Sequence, residues 1–175
     1  MMPLLVVLSL AEMASGMVLE DLKEVYVTYP TLLVLVPVMI GMGGNLGAIL
    51  SSRLSTALHL GTLDFRWDDR VIRTNVVAIS MLAATAFVAL GFLAYGLSTL
   101  PYVDVGGGMS LGDTLSISVV SGGLLTVLVV ALSLTATYVS YRLGVDPDDT
   151  TIPVVTNGCD ILGVVVLSGV AMAVL

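Results

Sequence analysis

Residues 29–57 read YPTLLVLVPVMIGMGGNLGAILSSRLSTA, a stretch of apolar and small residues whose one charge is Arg53. A transmembrane helix needs about 17–25 mostly apolar residues, so this stretch is long enough to cross a bilayer. Runs of the same kind precede and follow it, and they are apolar throughout rather than along one face. We therefore predict that lipid surrounds most of this chain.

The composition of the whole chain agrees with that prediction. Of its 175 residues, 57% are hydrophobic and 11% are charged, and the mean hydropathy is +1.07. A soluble domain of this length would need more polar surface. We predict an all-α polytopic membrane protein with five transmembrane helices, which cover about residues 3–18, 29–57, 74–100, 114–142 and 151–175. Short loops join them, so residues 1–175 are predicted to form one transmembrane domain with no soluble regulatory domain.

Charge limits the partners and sets the orientation. The net charge of −7 excludes nucleic acid, because too few groups could neutralise a row of phosphates. With five spans, the loops after the second and fourth spans share one side of the membrane. The opposite side has only Lys23, whereas this side carries five arginines: Arg53, Arg66, Arg70, Arg73 and Arg142. Because basic residues favour the cytoplasmic side, we predict a multi-pass protein of the cell membrane with a cytoplasmic N-terminus and an external C-terminus.

Two carboxylates lie well inside the predicted spans, Glu12 in the first and Asp160 in the fifth. Charged groups in a bilayer are costly, so each needs a partner or a function. On a helix, Thr156 and Asn157 project from the same face as Asp160, and Gly163 continues that face without a side chain. This oxygen-only set suits a hard cation such as Mg²⁺, which sheds its water reluctantly. The alternative is that Thr156 bonds its own helix backbone, and that Asp160 pairs with an arginine or sits in a wet crevice.

For Glu12 we favour a structural partner, either Arg53 or a hydroxyl of the fourth span, over a role in drawing cations toward a pore. A zinc site is not predicted. His59 is isolated in the sequence, and Cys159 points away from Asp160 by about 100° on a helix.

The acidic stretch between the fourth and fifth spans contains Asp146, Asp148 and Asp149. We interpret it as a solvated loop in which Asp149 or Thr150 caps the fifth helix. Attraction of Mg²⁺ to this loop is the alternative.

The glycine-rich part of the second span can be interpreted in two ways. Gly43 and Gly47 form a GxxxG pair, which lets two helix backbones touch. Alternatively, Pro37 and the glycines loosen the helix, so that backbone carbonyls and the Asn45 amide line a water-filled path. Packing is the better interpretation of this motif when it is taken alone.

Two stretches resemble a known family. Residues 37–61, PVMIGMGGNLGAILSSRLSTALHLG, resemble the second-helix signature of the MgtE family of magnesium transporters and of its eukaryotic solute-carrier relatives. Residues 143–163, LGVDPDDTTIPVVTNGCDILG, resemble the fifth-helix signature, with Asp-Pro before the helix and Asp-x-x-Gly within it. Both stretches stand at the family's spacing, and the archaeal and eukaryotic forms are the most similar.

The resemblance implies a dimeric pore between the second and fifth helices of two five-helix units. Asp160 matches the pore carboxylate that holds hydrated Mg²⁺, and Asn45 with Gly43 and Gly44 matches the second-helix wall of the pore. A homodimer is expected, although pairing with a sister half-chain is possible, since the eukaryotic relatives fuse two such units. No sensor domain of the bacterial kind is predicted for residues 1–175, so gating by that route is not expected.

We therefore predict a transporter of divalent cations, with Mg²⁺ as the transported ion, and not an enzyme. The predicted metal ligands are Asp160, Asn157 and Thr156, and the predicted pore-lining residues are Gly43, Gly44, Asn45, Gly163 and Glu12. Two other functions are kept as alternatives: a non-transporting partner subunit of a cation transporter, and a metal-dependent membrane enzyme that acts on lipid head groups.

Overall fold

The computed structural model of the protein describes residues 2–66, 69–100 and 109–175. These residues form α-helices and connecting loops, without a strand, which confirms the all-α prediction. In chain order the helices are α1 (Met2–Asp21), α2 (Lys23–Thr28), α3 (Thr31–His59), α4 (Arg70–Ser98), α5 (Leu111–Arg142) and α6 (Pro147–Val174).

Four of these helices, α3 to α6, are long and apolar enough to cross a membrane. They correspond to the second to fifth predicted spans. The first predicted span corresponds to α1, whose 20 residues make a helix about 30 Å long. That length matches the hydrocarbon core of a bilayer, and the count of five spans stays a prediction. The short helix α2 was not predicted.

The start of α4 is set by a side-chain cap. Asp69 accepts a hydrogen bond from the backbone N–H of Val71 at 2.7 Å, so the helix begins at Arg70, earlier than predicted. The backbone N–H of Asp64 also donates to Asp69, at 2.9 Å. These hydrogen bonds lower the pKa of the Asp69 carboxyl, because they stabilise its charged form. The bond from Asp64 has the largest effect.

The start of α6 is set in the same way and differs from the prediction. Asp146 is the N-cap and accepts from the backbone N–H of Asp148 at 3.0 Å, and Pro147 occupies the first helical turn. Asp149 and Thr150 therefore lie inside the helix and do not cap it, and part of the expected acidic loop is helical. The local sequence allowed several capping residues, and the proline position selects Asp146.

Helix α6 packs against α1, α3 and α5. A Cβ atom added at Gly47 of α3 would overlap Cγ1 of Val155, and one added at Gly43 would lie 3.7 Å from Cβ of Cys159. One added at Gly163 would lie 3.0 Å from Cγ1 of Ile40. Residue numbers rise along α3 as they fall along α6, so the two helices are antiparallel and nearly touch at Gly47.

Helix α3 runs without a break from Thr31 to His59, through Pro37 and the glycines. The loosened helix considered as the alternative between Pro37 and Gly47 is therefore not found. Gly43 and Gly47 are buried and face neighbouring helices, so the GxxxG pair serves packing.

Buried hydroxyl groups join the helices across the apolar core. Ser118 donates to the backbone carbonyl of Phe87 at 2.7 Å, and Ser133 donates to that of Gly47 at 3.4 Å. Tyr26 and Ser168 hydrogen-bond through their hydroxyl oxygens at 2.6 Å, which ties α2 to α6. Such hydrogen bonds between helices stabilise a transmembrane bundle.

The crossing of α3 and α6 gives a first testable prediction. Gly47→Ala should destabilise the protein by about 1–3 kcal/mol, because the added methyl group meets Val155, a fully buried and β-branched residue. In a Val155→Ala background the added methyl group has room. Gly47→Ala should therefore cost much less stability in that background than in the wild-type protein. Thermal unfolding of the detergent-solubilised protein measures both effects.

Gly123 of α5 provides the matched control, since a Cβ added there has no atom within 4 Å. Gly123→Ala should leave the unfolding temperature unchanged or raise it slightly, because alanine favours the helix. Equal effects of the two glycine substitutions would show that the crossing is not the cause.

Candidate metal site on α6

The carboxyl group of Asp160 lies in hydrogen-bonding contact with that of Glu12, which α1 brings against α6. Both side chains are partly buried. Two carboxyl groups this close repel each other when both are charged. A proton bound to one of them, or a cation between them, relieves this repulsion. The structure therefore brings together the two intramembrane acids that the sequence singled out.

Neither acid has a basic partner in the part of the chain that the structure describes. The ion pairs there are Lys23 with Glu20 at 3.6 Å and His59 with Asp146 at 3.8 Å. Arg53 instead donates to Oδ1 of Asn75 at 3.3 Å. The favoured structural partner for Glu12 was therefore wrong, because α1 packs Glu12 against α6. An arginine partner for Asp160 is also not found.

Thr156 and Asn157 both bond the backbone of their own helix. The Thr156 hydroxyl donates to the carbonyls of Ile152 and Pro153 at 3.0 and 3.2 Å, and the Asn157 amide donates to that of Pro153 at 2.9 Å. The backbone bond expected as the alternative for Thr156 is thus confirmed. It uses the hydroxyl proton and leaves oxygen lone pairs, and the Asn157 amide oxygen is also left to accept. Backbone bonding and ligand binding are therefore compatible here.

Gly44 of α3 packs against this part of α6. A Cβ atom added at Gly44 would lie 3.8 Å from Cγ2 of Thr156. Asn45, the next residue, is exposed, and so are the residues at four-residue intervals along the same side of α3. We call this side the open face of α3; it consists of Pro37, Gly41, Asn45 and Ile49.

Two of the glycines predicted to line a pore, Gly43 and Gly163, lie at contacts between helices. Gly43 is buried, and a Cβ there would lie 2.9 Å from Cδ2 of Leu125 on α5. Gly163 is buried against Ile40 of α3. Each glycine lies at a close helix contact within the chain, and its place along a pore stays a prediction.

Oxygen atoms of two carboxyl groups, one amide and one hydroxyl are available along this part of α6, from Asp160, Asn157 and Thr156 and from Glu12 in contact with Asp160. Cys159 is fully buried and faces α3 at Gly43, away from this set. Oxygen ligands with two negative charges suit a hard divalent cation, held directly or through its water. Glu12 was considered from the sequence, but its contact with Asp160 depends on how α1 folds back, which no local pattern reveals.

Comparisons with known proteins agree with this chemistry. Residues 36–170 match the MgtE family, which is described as divalent cation transporters. Solute carrier family 41 member 2 from Mus musculus and that from Homo sapiens are each 25% identical over 168 residues, which cover 90% of this chain and 28% of the relative. Solute carrier family 41 member 3 from Rattus norvegicus is 24% identical over 168 residues, which cover 91% of this chain and 35% of the relative. The chain thus spans about a third or less of the length of these relatives.

The paired carboxyl groups give a second prediction. Mg²⁺ should raise the unfolding temperature of the purified protein, since a ligand that binds the folded state stabilises it. Asp160→Asn should weaken this effect most, and Glu12→Gln should lower the apparent affinity roughly tenfold, or about 1.4 kcal/mol. Glu20→Gln is the matched control, because Glu20 lies on the same helix but is exposed beside Lys23. If Glu12→Gln behaved like Glu20→Gln, Glu12 would not belong to the site.

Proposed function

Because the chain belongs to the MgtE family of divalent cation transporters, we propose that it carries Mg²⁺ across the cell membrane. The path runs between α3 and α6 of two subunits, and Asp160 is its central ligand. The family consists of transporters and not of enzymes, which removes the alternative of a lipid-modifying enzyme.

The observation that carries the proposal is the contact between Asp160 and Glu12 inside the helical bundle. Two acids without a basic partner in the described residues are costly in a membrane, and a passing cation compensates their charge. Both side chains are only partly buried, which leaves them accessible to an ion. The pairing thus supports a cation path along this side of α6.

Mg²⁺ passes this point with much of its water. Its water molecules donate hydrogen bonds to Asp160 and Glu12, and the amide oxygen of Asn157 and the hydroxyl oxygen of Thr156 accept further ones. Contacts through water are individually weak, so the ion can also leave, as conduction requires. Outer-sphere binding also explains why the site needs no tight cage of protein ligands.

Two copies of the chain form the complete path. One copy offers few polar groups at membrane depth, and two-fold pairing doubles them. The open face of α3, with Asn45 and Gly41 exposed, is the surface that a second copy covers. Gly44 and Asn45 then form the α3 wall beside the Asp160 level. In this arrangement the end of the bundle with Arg53, Arg70, Arg73 and Arg142 faces the cytoplasm.

Ion flux tests the proposal directly. Liposomes that contain only this protein should take up Mg²⁺, and Asp160→Asn should reduce the initial rate at least tenfold, because the amide removes the charge that compensates the ion. Asn157→Ala should have a smaller effect, since it removes a neutral oxygen. Asp113→Asn, at the capped start of α5, should transport normally.

Absence of flux from the wild-type chain alone, restored by a second protein, would support the alternative of a partner subunit. Normal flux of Asp160→Asn would remove Asp160 from the mechanism.

Gly44 gives a further prediction about the path. A single methyl group fits there, because its nearest neighbour would be 3.8 Å away, whereas a branched side chain would extend along the wall beside Asn45. Gly44→Ala should therefore keep most of the flux, and Gly44→Val should abolish it while the dimer remains intact by size-exclusion chromatography. A Gly44→Val protein with normal flux would assign Gly44 to packing alone, and an active monomer would contradict the two-subunit path.

A further inference from the structure

His59, the last residue of α3, meets the first residues of α6 at the arginine-rich end of the bundle. Its Nε2 atom lies 3.8 Å from Oδ1 of Asp146. A cluster of three ligand atoms, all within 4.8 Å of one another, is formed by one atom each of His59, Asp146 and Asp148. The sequence interpretation of His59 as isolated was therefore wrong, because antiparallel packing of α3 and α6 joins residues far apart in the chain.

The orientation of the His59 ring is determined by its own helix. Its Nδ1 atom lies 3.0 Å from the backbone carbonyl oxygen of Ser55. A carbonyl oxygen can only accept, so Nδ1 carries the hydrogen in this bond. In the neutral ring, the lone pair of Nε2 then faces Asp146. Metal-binding histidines are commonly held in this way, with one nitrogen bonded to a carbonyl and the other directed at the ion.

The surrounding charge favours a cation. Three carboxylates lie within four residues of the chain, those of Asp146, Asp148 and Asp149. In the described part of the chain, the ion-pair partner found for this group is His59, which lies next to Asp146. Arg142, the basic residue just before this stretch, is engaged elsewhere: its Nε donates to the Tyr138 hydroxyl at 2.8 Å, and its guanidinium lies 5.4 Å from that ring's centroid. A ring nitrogen whose neighbours within 4.8 Å include two carboxylate oxygens is a favourable place for a positive ion.

The ligand types indicate which ion. Imidazole nitrogen suits metals such as Zn²⁺ and Co²⁺, whereas Mg²⁺ prefers oxygen ligands alone. Metal–ligand bonds of about 2.0–2.2 Å place neighbouring ligand atoms roughly 3–4 Å apart, and the 3.8 Å between His59 and Asp146 falls in that range. Three protein ligands leave further positions for water.

We propose that His59, Asp146 and Asp148 form a second divalent-cation site, distinct from Asp160, which binds a borderline metal such as Co²⁺ or Zn²⁺. The bound ion joins the end of α3 to the start of α6. It thereby fixes the relative position of the two helices that cross at Gly47. The binding itself is independent of the proposed transport function.

Titration of the purified full chain with Co²⁺ tests this site. The Asp160→Asn background removes the main ligand of the other site, so the two sites do not confuse each other. We expect saturable binding by calorimetry, a visible absorption band from Co²⁺ in a nitrogen-containing site, and a higher unfolding temperature with Co²⁺. His59→Gln and Asp148→Asn, each added to this background, should lower the affinity at least tenfold.

Asp149→Asn is the matched control, because it removes the same charge one residue beyond Asp148 without removing a member of the cluster. Its affinity for Co²⁺ should change less than about twofold. Helical circular dichroism and a single elution peak confirm that each variant is folded. Absence of saturable binding, an unchanged affinity in His59→Gln, or an equal loss in Asp149→Asn and Asp148→Asn would overturn the proposal.

Discussion

At Gly47, α3 and α6 pack so closely that the Val155 side chain occupies the space where a Cβ atom of α3 would lie. In lipid, helix association depends on such close packing, because the surrounding acyl chains are as apolar as the helix surfaces. The crossing sets the register of the two helices. One turn before Gly47 it places Gly44 against Thr156. At the C-terminal end of α3 it brings His59 close to Asp146. The cluster of His59 with Asp146 therefore depends on a crossing that contains no ligand, whereas the contact of Asp160 with Glu12 depends on how α1 packs against α6.

Two sets of polar groups in this bundle differ in how their burial is compensated. Ser118, Ser133 and Tyr26 have hydrogen-bond partners on neighbouring helices, so their burial is compensated within the chain. Asp160 and Glu12 face each other instead, and two like charges compensate nothing. This contrast distinguishes groups that hold the bundle together from the pair of acids proposed to bind an ion.

The two sites also differ in chemistry in a way that their positions explain. Asp160 lies inside a span, where oxygen ligands can handle a hydrated hard ion without binding it tightly. His59 and the aspartates of α6 are exposed at the end of the bundle, where an imidazole gives selectivity for a different class of metal. A transport path needs weak binding, and a link between helix ends gains from tight binding.

The sequence by itself determined the class of the protein and which polar residues share one face of α6. Uninterrupted apolar runs predict spanning helices because lipid leaves the backbone no other partner, and α3 to α6 follow them closely. The spacing of Thr156, Asn157 and Asp160 predicts a shared face because helical geometry is local. The tertiary structure alone decided the contacts between distant segments: Glu12 with Asp160, His59 with Asp146, and Gly43 and Gly47 against neighbouring helices. Each of these depends on how whole helices dock, and docking is governed by the shapes of complete surfaces, which no short stretch of sequence encodes.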